Sequence, residues 1–90
     1  MREIICSPNQ WTQVLWEAGP FPYISALSYY NPWFSPPAFI RVRRHSLGPP
    51  FYWDVPLALG ETMHIWHSPL DWYASTEVFP ESVFVIVRVW

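Results

Sequence analysis

Lysine is absent from this 90-residue chain, and cysteine and glycine are nearly so, at one and three residues. Each shortage closes off a class of function. The five cations are all arginine, set against seven carboxylates, for a formal net charge of −2. A lysine-free, net-negative surface is poorly suited to neutralising phosphates, so no nucleic-acid partner is expected. The lone Cys6 permits no internal disulfide and no cysteine-based zinc cage, and it fits a reducing compartment or a buried, inert thiol. Three glycines cannot furnish a glycine-rich phosphate loop, and there is no Gly-x-Ser-x-Gly turn. Charged residues make up only 13% of the chain, about half the usual share. Long apolar runs are missing too. The stretch from Ala18 to Ile40 is uncharged but is broken by Pro20, Pro22, Pro32, Pro36 and Pro37, so no membrane is expected as a partner. The opening residues, Met1 to Pro8, include Glu3 and no apolar signal core, and the chain is expected to stay in the cytoplasm where it is made.

What is abundant is proline, with eleven residues, and aromatic side chains, at 20% of the chain. The prolines leave no clean helical window. Between them lie short runs rich in Val, Ile, Thr, Tyr, Phe and Trp, the composition of strands. Eight are read: Arg2–Cys6, Trp11–Trp16, Tyr23–Tyr30, Ala38–His45, Pro50–Trp53, Glu61–His67, Leu70–Ser75 and Ser82–Trp90. Turn residues separate them, among them Ser7-Pro8-Asn9, Asn31-Pro32 and Phe79-Pro80. Residues 1–90 are therefore expected to form a single all-β domain, an antiparallel β-sandwich or jelly roll of about eight short strands. In Ile40-Arg41-Val42-Arg43 the apolar side chains should point inward and the arginines outward. The last strand breaks that rule. Val83, Val85, Val87 and Val89 line one face, while Phe84, Ile86, Arg88 and Trp90 line the other, so the second face calls for a covering loop or a partner chain. One small core cannot hold seven Trp, five Tyr and six Phe. The surplus should form exposed contact patches.

Side chains that could carry chemistry point to none. His64 and His67 have a metal-like spacing only on a helix, and on a strand they fall on opposite faces. The carboxylates Asp54, Glu61, Asp71, Glu77 and Glu81 show no spacing that fixes a catalytic pair. No catalytic residue, metal or cofactor is expected, and the protein is read as a non-enzyme. Arg41 and Arg43 share a strand face and suit ion pairs across a partner surface, with a salt-bridged or solvated face as the plainer alternative. Exposed tryptophans either stack on sugars, as in a carbohydrate-binding module, or anchor protein contacts. Protein contact is preferred, because the amides that sugar recognition needs are only Asn9, Gln10, Gln13 and Asn31. The interface candidates are Trp33 and Phe34, on a loop stiffened by Pro36 and Pro37, with Arg41, Arg43, Phe84, Ile86 and Trp90.

Several segments carry a family resemblance. Trp11-Thr12-Gln13-Val14-Leu15-Trp16 leads into Ile24-Ser25-Ala26-Leu27-Ser28-Tyr29-Tyr30-Asn31. The segment Tyr52-Trp53-Asp54-Val55-Pro56-Leu57 follows as a turn, then Leu70-Asp71-Trp72-Tyr73-Ala74-Ser75-Thr76 and the closing Val83-Phe84-Val85-Ile86-Val87. This order resembles small β-sandwich capsid decoration (cement) and virion accessory proteins of tailed bacteriophages. The resemblance implies a structural protein on the capsid surface, assembled in the host cytoplasm. It also implies the major capsid protein as partner, a homotrimer at local three-fold positions, and no catalytic role. A tail-associated carbohydrate-binding module and a small inhibitor docking on one host protein are the alternatives.

Overall fold

The computed structural model describes residues 1–15, 23–45, 49, 51–67 and 75–90. Its elements are all strands: β1 (Arg2–Cys6), β2 (Thr12–Leu15), β3 (Tyr23–Tyr30), β4 (Phe39–His45), β5 (Tyr52–Ala58), β6 (Met63–His67), β7 (Thr76–Phe79) and β8 (Val85–Val89). They form two four-stranded antiparallel sheets, ordered β1-β8-β3-β6 and β2-β7-β4-β5. The pairs β1·β8, β2·β7, β3·β6 and β4·β5 nest inside one another around the β4–β5 hairpin. Two further ladders, β3·β8 and β4·β7, close each sheet. A long hairpin rolled up in this way is an eight-stranded jelly roll, an antiparallel β-sandwich.

Strict alternation builds the core. Val85, Val87 and Val89 of β8 point inward with Leu27 and Tyr29 of β3 and Ile65 of β6. From the second sheet they meet Val14, Ile40, Val42, Leu57 and Val78. β-Branched side chains suit both demands at once, since they favour extended backbone and fill the gap between layers. Each such side chain contributes about 1.5–3 kcal/mol on full burial. The connections are pinned by backbone bonds. Asn9, in the left-handed region at φ 60°, donates its N–H to the Pro80 carbonyl at 2.7 Å, tying the β1–β2 turn to the β7–β8 turn. Between β5 and β6, Glu61 N–H bonds Ala58 C=O at 3.1 Å around Gly60, whose φ of 82° favours glycine.

Three strands have boundaries that differ from the sequence reading by three residues or more. The fifth strand does not end at Trp53. It continues to Ala58, so the segment read as a Tyr-x-Asp-x-Pro-Leu turn is strand, and the turn lies at Leu59–Gly60. Pro56 is tolerated there because β5 is a sheet edge, where no neighbour needs its missing N–H. The second difference is β7, a strand over Thr76–Phe79 that runs up to Pro80. The expected strand Leu70–Ser75 lies outside the described residues except for Ser75, whose carbonyl accepts a bond from His45 N–H at 2.9 Å. Third, β8 starts at Val85, after a bend at 81–83, rather than at Ser82.

Candidate functional site

The interior is apolar. Among the described residues the space between the sheets opens no pocket, and no three His, Cys, Asp or Glu side chains converge on a metal position. Ser25 and Thr76 are the buried polar residues, and Cys6 is fully buried. Burial pushes the Cys6 thiol up to about 12, which leaves it protonated and unreactive at neutral pH. The segment holding His64 and His67 is a strand. The exposed aromatic and charged side chains lie on the outer faces.

The outer face of the β2-β7-β4-β5 sheet is a lattice of arginines and aromatics. Strand register lines up Gln13, Glu77, Arg43 and Asp54 across it. The Arg43 guanidinium sits 4.1 Å from the Trp11 ring and 4.3 Å from the Tyr52 ring. It also holds Asp54 in a two-point ion pair at 2.7 and 3.0 Å. Those hydrogen bonds hold the Asp54 carboxyl below its ordinary range. Arg41 lies 4.3 Å over Phe79 and 3.1 Å from Glu81. His45 reaches Glu77 at 2.9 Å. Cation–π contact and ion pairing thus occupy both guanidinium groups within the chain.

The outer face of the β1-β8-β3-β6 sheet is organised differently. At one end, Asn31 acts as a clamp: its side-chain oxygen accepts the N–H groups of Trp33 and Phe34 at 2.8 Å each, and its amide donates to the Phe84 carbonyl. Both rings then lean on Phe84, with centroids at 5.3 Å for Trp33 and 6.0 Å for Phe34. The Tyr29 hydroxyl donates to Pro37 C=O at 2.6 Å and fixes the far side of this loop. Trp33 and Phe34 are nonetheless 64% and 59% exposed. In the middle of the face, Arg88 stacks 4.0 Å over Tyr30 and approaches Glu3 at 3.8 Å, while the Tyr30 hydroxyl donates to Glu3. At the other end, Ile24 pairs directly with Trp66 across β3 and β6. The closing Trp90 exchanges two backbone bonds with Ala26, at 3.0 and 3.3 Å. Ile24, Trp66 and Trp90 all stand in water around the small Ala26.

The seven interface candidates therefore divide. Trp33, Phe34, Phe84 and Trp90 sit on one outer face, at its two ends. Ile86 shares that face but is only 7% exposed, flanked by Ile5 and Tyr30 on the neighbouring strands. The chain's own packing covers it, where the sequence pattern called for a covering loop or a partner. Arg41 and Arg43 lie on the opposite sheet and meet carboxylates of this chain rather than offering theirs outward. Ile5, Ile24 and Trp66 were not singled out by sequence. Ile24 and Trp66 are hidden by their neighbours: Ser25 points inward while Ile24 points out, and Ile65 and Trp66 are both apolar, so neither strand advertises its faces. Compared with protein-family models, curated proteins and solved structures, the chain matches none.

Proposed function

We propose that this protein is a structural virion protein of a tailed bacteriophage, a capsid decoration protein that binds and stabilises the coat without catalysing a reaction. One observation carries the reading: large apolar side chains stand exposed on the outer sheet faces, with Trp33 and Phe34 pinned in place by Asn31 and Phe84. Preorganised aromatics lower the ordering cost of association and suit a large contact surface. The jelly-roll order supports the reading at the level of fold, since it recurs in viral capsid proteins, although it recurs in lectins and cupins as well. The resemblance of Ile24–Asn31 and Tyr52–Leu57 to cement-type proteins supplies the rest, with the major capsid protein as partner and assembly of several copies, three by that resemblance.

Co-sedimentation tests it. Purified protein mixed with capsid shells stripped of accessory proteins should pellet with them and raise the temperature at which the shells open. Absence from the pellet, with retention on an immobilised polysaccharide instead, would replace this reading with a carbohydrate-binding one.

A further inference from the structure

The outer face of the β1-β8-β3-β6 sheet exposes Ile5, Trp33 and Phe34 at one end and Ile24, Trp66 and Trp90 at the other, each between 53% and 65%. With aromatics burying roughly 150–250 Å² apiece, the four aromatics and two isoleucines together leave on the order of 600 Å² of apolar surface in water. Divided between the two ends of the face, that is about three-quarters of the roughly 800 Å² each partner contributes to a standard interface. Among the described residues the face carries one arginine and one carboxylate, Arg88 and Glu3, already paired with each other, and the exposed His64 opposite Ala26. Covering it leaves the Arg88–Glu3 pair intact. The opposite sheet's outer face also exposes Phe39 and Tyr52, but Arg41 and Arg43 lie between them, held by that sheet's own aromatics and carboxylates.

We propose that a second copy of this chain covers this face, with the same face of each copy meeting across a twofold axis that runs along the strands between β8 and β3. The register shows why a copy fits. Ala26 and Trp90 lie in one cross-strand row, Ser28 and Arg88 in the next, and Tyr30 and Ile86 in the one after. The axis exchanges β8 with β3, so each Trp90 falls over the partner's Ala26, a large side chain over a notch. Each Arg88 falls over the partner's Ser28, a cation over a hydroxyl, with no like charges opposed. Sheets related in this way pack aligned, as sandwich layers do. Such pairing is isologous and closes at two copies. It does not rest on coat binding, although it assigns to a second copy the aromatics which that reading gives to the coat, and it replaces the three-fold assembly that the family resemblance implies.

Sedimentation equilibrium on the full chain provides the test, with circular dichroism confirming that each variant keeps its β-sheet spectrum. Wild type should sediment at twice the 10.7 kDa of one chain. Trp90→Ala removes two anchors, one from each copy, and at roughly thirtyfold for each should weaken association about a thousandfold. Ala26→Arg should give monomer, and Phe51→Ala, on an exposed aromatic away from this face, should leave the dimer intact. The double variant Ala26→Trp with Trp90→Ala transposes knob and notch across the axis and should regain most of the lost affinity, which a merely structural role for Trp90 would not predict. If Ala26→Arg does not fold, the Trp90→Ala and double variants decide. A monomeric wild type would overturn the proposal and leave the face to a coat or lipid surface. A trimer would overturn it as well, as would a double variant no stronger than Trp90→Ala alone. Failure to bind capsids would not touch it.

Discussion

Replacing Asn31 with alanine removes the clamp that presents Trp33 and Phe34, and its cost follows from three hydrogen bonds. Two are accepted from loop N–H groups near solvent, which water can replace, and one is donated to the part-buried Phe84 carbonyl. At about 0.5–1.5 kcal/mol net for each bond, with the exposed pair at the low end, Asn31→Ala should lose about 2 kcal/mol. For a domain of this size that lowers Tm by on the order of 10 °C. Urea unfolding followed by tryptophan fluorescence measures it directly. Asn31→Asp sharpens the test, because a carboxylate still accepts both loop N–H groups but cannot donate to Phe84, so it should lose about half as much. The rings should also become mobile in Asn31→Ala and less so in Asn31→Asp, visible as faster quenching of Trp33 emission by acrylamide. If Asn31→Ala lies within about 0.5 kcal/mol of wild type, the range of ordinary surface changes, the clamp is not what orders the loop.

Other expectations are equally specific. Leu27→Ala, at a fully buried position on β3, should cost about 3–4 kcal/mol by cavity formation, a large part of a small domain's stability, as read from urea midpoints. Gly60→Ala meets no neighbouring atom, so its cost of roughly 1 kcal/mol should come from the positive φ alone and be relieved in Gly60→Asn. Cys6 should resist iodoacetamide in native buffer and react only at the rate of unfolding; prompt labelling at neutral pH would contradict its buried, protonated state. Asp54 is held below its ordinary value of 3.8 by Arg43, so the stability it contributes is full above that pH and is lost as the pH falls through the lower folded value. Asp54→Asn should accordingly flatten the acid limb of the stability profile and leave its neutral-to-basic part parallel to wild type.

Much of this fold can be read from residue order, because its causes are local. Proline spacing and β-branched runs mark Arg2–Cys6 and Tyr23–Tyr30 to the residue, and the alternation at Ile40-Arg41-Val42-Arg43 assigns both faces correctly. The strand order is not local. Nothing along the chain says that β1 will pair with β8 rather than β2, since those pairs are joined only by the rolled-up topology. Pro56 misleads for a related reason: proline reads as a break until one knows that β5 is an edge. The surface follows the same division. Trp33 and Phe34, between prolines on a loop, stand out in the sequence as exposed aromatics. The partners of Arg41 and Arg43 do not, because Asp54, Glu81, Trp11 and Phe79 reach them only across strands. Ile86 shows the limit of reading a strand alone, as its cover comes from β1 and β3.

The central claim is that one sheet face is a finished surface and the other is the working one. Hydroxyl-radical footprinting of the tryptophans, comparing dilute chain with the assembled form, tests it most directly. Assembly should protect Trp33, Trp66 and Trp90 while Trp11 and Trp53 react as before. Protection of Trp53 with Trp66 and Trp90 unchanged would contradict it and move the contact to the arginine-bearing sheet.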